Sequence, residues 1–199
     1  MLLFFPCPRF VMKYYKKYPS VQVIIKTGIT EELFNMLKSN QIDLVYTLDN
    51  KIFVDELSLK YENEETCVLV TSPTNVNQLE IKQITDILDA PIILTEEKTT
   101  YRFELEKILS IEQLIISPFL EIGNTGVIID LLKKGLGFPF LPLYTIEEYI
   151  KTNELKVISL EGNYEVKMWA QIFCHKDKWL APHMQGFIEL VKQMNDESG

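Results

Sequence analysis

The stretch "GNTGVIIDLLKKGLGFPFLP", residues 123–142, decides the fold because a turn is followed by a helix and then by a strand. The apolar spacing predicts a helix that Asn124 or Thr125 caps, with two lysines favoured in its last turn. Gly135 is expected to end this helix in the left-handed conformation, and Gly137 to allow a tight passage into the strand. A phosphate-binding glycine loop has the reverse order, with the strand first and the helix last. These glycines are therefore predicted to stop a helix and not to bind a nucleotide.

Helix and strand patterns alternate along the rest of the chain. This alternation predicts the α/β class, with largely parallel, doubly wound sheets. The polar stretch "SPTNVNQ", residues 72–78, is predicted to connect two such sets, so two α/β lobes are expected. Runs of β-branched and apolar residues predict strands, among them "VQVIIK" (21–26), "IDLVYTL" (42–48), "ETCVLVTS" (65–72), "PIILT" (91–95) and "LIISPFLEI" (114–122).

Composition excludes several classes of function. The 199 residues carry a formal net charge of −8, which disfavours binding of a nucleic-acid backbone by this chain alone. Cys7, Cys67 and Cys174 are far apart and only two histidines are present, so neither a disulfide framework nor a metal site is predicted. The chain has no signal-peptide pattern and no apolar run of about 18 residues. A cytoplasmic protein without a membrane span is expected.

Three predicted helices begin with a turn that contains threonine. The turns are "TGIT" (27–30), "EEKTT" (96–100) and "GNTG" (123–126). In open α/β sheets ligands bind beyond the carboxyl ends of the strands, where free N–H groups and the positive helix end hold anions. Simple capping explains any single threonine equally well. Three such turns at one cleft favour binding of a small anion.

Two longer stretches carry a family resemblance. Residues 10–47 contain a helix ending in Tyr-Pro, a strand, Gly-x-Thr-x-x-Leu and then Ile-Asp-Leu. Residues 121–142 contain a helix that reaches Gly-x-Gly and a strand that ends in Leu-Pro. In order and spacing these motifs resemble the effector-binding domain of LysR-type transcriptional regulators, over nearly the whole chain.

The resemblance implies a type II periplasmic-binding-protein-like fold with two Rossmann-like lobes, two crossover segments and an effector cleft between the lobes. Lobe I is then expected at residues 1–73 plus 168–199, and lobe II at residues 74–167. The resemblance further implies a cytoplasmic homodimer that binds DNA only through an N-terminal winged helix-turn-helix. That segment and the first strand of lobe I are both expected to be missing here, which predicts an unpaired sheet edge.

The resemblance and the threonine turns together predict the site of a small anionic metabolite. By motif match Thr30 lies at the first-lobe cleft position and Thr47 at the rim of the cleft. Arg102 either binds an effector carboxylate or pairs with Glu106, four residues further on. No catalytic residue, cofactor or metal is predicted. The predicted effector-binding residues are Gly28, Thr30, Thr47, Thr99, Thr100, Arg102, Asn124, Thr125 and Gly126.

Two alternatives share the bilobal fold. One is a dehydratase-like enzyme that acts on a small carboxylic acid, and the other is a solute-binding protein of a transporter. The predicted turns hold no histidine and no nucleophile–base pair, which opposes the enzyme. The absence of a signal peptide and the odd number of cysteines oppose the solute-binding protein. An effector-sensing domain without enzyme activity is the leading expectation.

Overall fold

A computed structural model describes residues 8–78, 81–97, 99–162 and 164–196. The chain forms two compact units, Met1–Glu64 with Trp169–Gly199 and Glu65–Met168. The chain thus leaves the first unit earlier than the boundary predicted after residue 73. Strands β2 (Leu57–Thr71) and β7 (Val166–His175) each pass from one unit into the other.

Among the described residues, the first unit contains three helices and a sheet with the strand order β1–β7–β2. Strand β1 pairs antiparallel with β7, with Val45 opposite Phe173. Phe34 of α2 packs edge-on against the Phe173 ring, with the two centroids 5.2 Å apart. This antiparallel pair departs from the largely parallel sheet expected. The elements are α1 (Pro8–Lys17), α2 (Thr30–Lys38), β1 (Val45–Asp49), β2 (Leu57–Thr71), β7 (Val166–His175) and α7 (Pro182–Asp196).

Helices α1 and α7 pack closely through aromatic side chains. The Phe10 and Phe187 ring centroids are 4.8 Å apart, and Tyr14 stands 5.7 Å from the same Phe187 ring. The Tyr14 hydroxyl donates to the His183 carbonyl oxygen at 3.0 Å, and the Tyr18 hydroxyl donates to the backbone of α7 at its first residue. Phe10, Tyr14 and Tyr18 of α1 therefore pack against α7.

The strand predicted at residues 21–26 is wrong. These residues belong to no helix or strand, and Val23, Ile24 and Ile25 are 46%, 73% and 52% exposed. The β-branched composition fits a strand, but a strand also needs a hydrogen-bonded neighbour. In the described chain the sheet order ends at β1.

The second unit holds a mixed sheet with the strand order β2–β5–β3–β4, and β6 pairs with β2. Strand β3 is parallel to both β4 and β5, whereas β2 is antiparallel to β5 and β6. The elements are α3 (Pro73–Gln78), a 3-10 helix (Ile84–Ile87), β3 (Ile92–Leu94), α4 (Thr100–Ile111), β4 (Leu120–Glu121), α5 (Thr125–Lys133), β5 (Phe138–Pro142), a 3-10 helix (Leu143–Thr145), α6 (Glu147–Lys151) and β6 (Lys156–Val157).

Two predictions in this unit need correction. Residues 73–78, predicted as a connector, form helix α3, which begins at Pro73, a favoured residue for a first helical turn. Residues 114–122, predicted as a strand interrupted by Pro118, form only the two-residue strand β4. Pro118 lies within this stretch and lacks the N–H that a continuous strand needs.

Helix α5 ends as its glycines predict. Gly135 has φ +81° and its N–H donates to the Leu132 oxygen, while the Leu136 N–H donates to the Leu131 oxygen. These two bonds form a Schellman cap. Gly137 has φ +94°, and a Cβ there would collide with the Ile93 side chain of β3. Both glycines therefore serve the backbone path from α5 into β5.

Gly186→Ala is predicted to destabilise the first unit. Alanine favours a helix over glycine by about 1 kcal/mol. However, a Cβ at Gly186 would meet the Tyr18 ring and hydroxyl, and overpacking of this kind destabilises by about 1–3 kcal/mol. Urea unfolding should show a lower free energy of unfolding, whereas the exposed control Gln193→Ala should show little change. Higher stability of Gly186→Ala would contradict this packing.

Candidate functional site

Helices α4 and α5 begin side by side at one edge of the second-unit sheet. Each follows the carboxyl end of a strand, α4 after β3 and α5 after β4. Because these strands are parallel neighbours, with Leu94 opposite Glu121, their carboxyl ends coincide. The Ile122 N–H donates to the Leu94 oxygen at 3.1 Å and continues this alignment beyond β4. Two helix N-termini therefore present N–H groups and positive dipole ends at this edge.

A buried pair of hydroxyls lies between β3 and α4. Thr95 and Thr99 are each 1% exposed, and their hydroxyl oxygens are 2.9 Å apart. The Thr99 hydroxyl donates to the Glu96 oxygen at 2.9 Å, so Thr95 is the donor within the pair. Thr99 occupies the N-cap position of α4, but its side chain makes no cap hydrogen bond. Capping therefore does not explain Thr99.

Arg102 is a buried cation in the first turn of α4. Its Nε donates to Glu106 at 2.8 Å, and its Nη1 donates to Glu121 at 2.8 Å and to the Thr95 carbonyl oxygen at 2.5 Å. Burial alone would lower the pKa of the Arg102 guanidinium, but the hydrogen bonds to the two carboxylates outweigh it and raise the pKa. The arginine therefore joins α4 to the ends of β3 and β4, and its charge is balanced.

The start of α5 provides unused donors. Asn124 caps the helix by accepting a hydrogen bond from the Val127 N–H at 3.2 Å. The N–H groups of Thr125 and Gly126 have no intrahelical acceptor, since they lie in the first turn. Thr125 is 8% exposed, and its hydroxyl has no hydrogen-bond partner within the described parts of the chain. A buried hydroxyl without a partner is destabilising, which makes this position a candidate ligand contact.

The predicted first-unit residues lie around the end of β1. The Thr30 hydroxyl, at the first residue of α2, donates to Asp49 Oδ2 at 3.1 Å. Thr47 in β1 is fully buried, and its hydroxyl has no hydrogen-bond partner among the described residues. Gly28 lies two residues before α2, and a Cβ there would approach Glu32 Oε2 to 3.3 Å. Thr30 and Thr47 thus lie on adjoining elements of one unit.

The structure brings together several predicted residues and adds two that sequence reasoning missed. Arg102, Thr99 and Thr100 share the start of α4, and Asn124, Thr125 and Gly126 share the start of α5. Thr95 was missed, although it directly follows the buried run "PIIL" and precedes the predicted turn. Gln171 was also missed.

Gln171 is fully buried in β7 and fixes the loop after β1. Its side-chain oxygen accepts from the Ile52 N–H at 2.8 Å, and its nitrogen donates to the Ile52 oxygen and to Glu62. A glutamine within the apolar stretch "WAQIFC" is the sequence signal that could have identified it.

Other classes of site find no support in the described residues. Within residues 8–78, 81–97, 99–162 and 164–196, no group of three or more His, Cys, Asp or Glu side chains is arranged to hold a metal ion. None of the described helices has the length and apolar character that a membrane span requires. Burial raises the pKa of the Cys67 thiol, so this cysteine stays protonated at neutral pH.

Thr125→Val is predicted not to destabilise the chain when no ligand is present. Valine keeps the shape of threonine and removes a hydroxyl that is buried without a partner. Asn124→Ala, by contrast, removes the cap of α5 and should lower the free energy of unfolding by about 0.5–2 kcal/mol. Chemical denaturation of both variants provides the comparison. A clear loss of stability in Thr125→Val would show that its hydroxyl is already satisfied.

Comparison with known proteins shows which protein family the sequence matches. The family model described as LysR substrate binding domain matches residues 5–196. The regulator CzcR of Bacillus subtilis is 27% identical over 192 residues, covering 96% of this chain and 64% of the relative. The uncharacterized HTH-type transcriptional regulator YwqM of Bacillus subtilis is 24% identical over 94% of this chain and 63% of its own length. The chain therefore spans less than two thirds of these relatives, which are transcriptional regulators.

Solved structures show the same fold at low identity. The regulatory domain of CcmR from Synechocystis in complex with 2-PG has a TM-score of 0.68 and 18% identity, covering 96% of this chain and 90% of that one. The sulfate-bound regulatory domain of an OxyR2 mutant from Vibrio vulnificus has a TM-score of 0.63 and 16% identity, covering 94% and 88%. These similarities confirm the α/β, type II periplasmic-binding-protein-like fold.

Proposed function

Because the chain belongs to the LysR substrate binding domain family, we propose that it is the effector-sensing domain of a transcriptional regulator. The observation that carries this proposal is the edge where α4 and α5 begin together. There, the N–H groups of Thr125 and Gly126 have no intrahelical acceptor, and the buried Thr125 hydroxyl has no hydrogen-bond partner among the described residues. A bound ligand would provide acceptors for these donors. The domain binds its effector and performs no chemistry on it.

The proposed effector is a small anionic metabolite. Helix N-termini favour negative charge, and threonine hydroxyls add donors. Two structural neighbours, described as sulfate-bound and as a complex with 2-PG, support an anion at this kind of domain. The first-unit residues Thr30 and Thr47 offer further hydroxyls. That one ligand contacts residues of both units, in the cleft that the sequence predicts, stays a prediction.

Arg102 takes part in this site by positioning other groups. Its guanidinium is balanced by Glu106 and Glu121 and already donates to the Thr95 oxygen. All the hydrogens on its Nε and Nη1 atoms are used in these bonds. We therefore propose that the N–H groups and hydroxyls bind the anion. Arg102 instead aligns β3, β4 and α4.

Signalling to DNA requires parts of the regulator beyond this chain. In the intact protein, effector binding would shift the population of two conformations and so reposition the DNA-binding domains. We propose that the regulator works in the cytoplasm as a homodimer. Support for dimerisation comes from large apolar side chains near β4, the terminal strand of the second-unit sheet: Ile115 is 86% exposed and Phe119 is 66% exposed. Exposed apolar clusters beside a sheet edge mark interaction surfaces.

A thermal-shift screen tests the sensing function. The purified chain is heated with sulfate, phosphate, phosphorylated short-chain acids, dicarboxylates, aromatic acids and amino acids. A ligand at 100 times its dissociation constant adds about 2.7 kcal/mol of stability, which raises the melting temperature visibly. The hit must be recovered unchanged after incubation. Conversion of the hit to a product would instead favour an enzyme.

Site variants test the placement of the ligand. Loss of one hydrogen bond to a bound anion weakens binding by about tenfold. Thr125→Val should therefore weaken binding of the hit by about this factor, and Thr30→Ala should weaken it if the first unit contributes. Thr152→Val is the matched control, because the Thr152 hydroxyl is exposed and donates to the Glu148 oxygen at the C-terminal end of α6. Unchanged affinity in Thr125→Val and Thr30→Ala would show that the site lies elsewhere.

A further inference from the structure

The loop that follows β1 in the first unit is held at its centre by a buried side chain. We call residues 50–54 the β1 loop. Gln171 of β7 accepts from the Ile52 N–H at 2.8 Å and donates to the Ile52 oxygen at 3.2 Å. The side chains of Ile52 and Val54 also pack against the apolar core around Phe173. The centre of the β1 loop is therefore anchored to the first unit.

The ammonium group of Lys51, in the same loop, lies between an aromatic ring and a carboxylate. Its Nζ is 4.0 Å from the centre of the Trp169 ring of β7 and 2.5 Å from Glu62 Oε1 of β2. The other oxygen of Glu62 accepts from Gln171 Nε2 at 2.9 Å. A cation over the face of a tryptophan ring is attracted by the negative face of the π-system. The position of the β1 loop therefore decides which charge the Trp169 indole experiences.

The start of the β1 loop is connected to Thr30 through Asp49. The Thr30 hydroxyl donates to Asp49 Oδ2 at 3.1 Å, and Asp49 Oδ1 accepts from the Asn50 N–H at 2.8 Å. A continuous series of contacts thus leads from Thr30 through Asp49 and the β1 loop to Trp169. Trp169 is also the residue at which the chain returns from the second unit to the first.

The hydrogen of the Thr30 hydroxyl cannot serve Asp49 and a ligand at the same time. A threonine hydroxyl carries one hydrogen, and Thr30 donates it to Asp49. An anion that accepts this hydrogen must therefore replace the Asp49 carboxylate as the acceptor. The carboxylate then loses one of its donors and is repelled by the like charge of the anion. Because its other oxygen accepts from the Asn50 N–H, the disturbance acts on the start of the β1 loop.

We propose that the β1 loop responds to an anion at Thr30 and that Lys51 transmits this response to Trp169. The anion displaces Asp49, the start of the loop moves, and the Lys51 ammonium changes its position over the Trp169 ring. This coupling rests on the proposed function, because it requires an anionic effector that reaches Thr30. Lys51 is a positioning residue in this scheme and acts without touching the effector.

Tryptophan fluorescence tests the coupling without a ligand. The chain has two tryptophans, and Trp179→Phe replaces the one that is 77% exposed and leaves only Trp169. In this background Thr30→Val removes the hydrogen bond that an anion would displace, and it should shift the Trp169 emission maximum. Lys51→Met should abolish this effect of Thr30→Val. Lys51→Arg keeps a cation over the ring and should preserve the effect.

Two matched variants serve as controls in the same background. Thr152→Val removes an exposed hydroxyl that donates to the Glu148 oxygen in the second unit. Lys82→Met removes the charge of an exposed lysine of the second unit. Neither control should shift the Trp169 emission. Circular dichroism and urea unfolding establish that each variant is folded before its emission is compared.

A titration with sodium sulfate at constant ionic strength separates failure of the coupling from failure of the proposed function. Sulfate should shift the Trp169 emission with the same midpoint as the amide shifts of Thr125 and Gly126, and Lys51→Met should lose only the emission response. Amide shifts without an emission response would overturn the coupling. Unchanged emission in Thr30→Val, or an equal shift with and without Lys51, would overturn it as well. Absence of saturable amide shifts would contradict the proposed function, and the ligand-free variants would still decide the coupling.

Discussion

The parallel pairing of β3 with both β4 and β5 is the constraint on which the second unit depends. It brings the carboxyl ends of β3 and β4 to one edge, and helices α4 and α5 must therefore begin next to each other. The close approach of β5 to β3 needs a residue without a side chain, and Gly137 against Ile93 meets this need. The glycines after α5 thus influence the candidate site although they are not part of it. Gly137 allows the close pairing of β5 with β3 next to which the helix starts are aligned.

At the sheet edge where α4 and α5 begin, charged side chains and neutral hydrogen-bond donors have different roles. A cation in the first turn of a helix opposes the helix dipole, so Arg102 needs nearby carboxylates. Glu106 and Glu121 supply them and keep the guanidinium between β3, β4 and α4. The two carboxylates balance the charge of Arg102 within the protein, and the donors proposed to bind a ligand are neutral groups. We propose that a site of this composition selects an anion by the direction of its N–H and hydroxyl groups.

Much of the fold could be predicted from local pattern. The helix over residues 125–133, its glycine stop and the following strand are all present, because capping and left-handed glycine are local effects. The strand at residues 21–26 is absent, although its composition is suitable. Strand formation depends on a neighbour, which propensity cannot provide. Helix α3 was missed because its sequence is polar and short.

The helix starts that form the candidate site could be predicted from the sequence, whereas the contacts within the site could not. Threonine turns before helices could be recognised as such, yet the structure shows that Thr30 and Thr99 bond elsewhere than in a cap. Pairing of Arg102 with Glu106 follows helical spacing, whereas its bonds to Glu121 and Thr95 depend on the register of β3 and β4. Gln171 bonds to residues more than a hundred positions away in sequence. Only tertiary structure defines such contacts.

The most direct test of the account is an NMR titration of the isotope-labelled chain with sodium sulfate at constant ionic strength, with sodium chloride as the reference. The account predicts saturable shifts of the backbone amides of Thr100, Thr125 and Gly126, and weaker saturable shifts in Thr125→Val. The Thr152→Val variant should respond like the wild type. Shifts that grow linearly with salt, or saturable shifts confined to other parts of the chain, would contradict an anion site at the starts of α4 and α5.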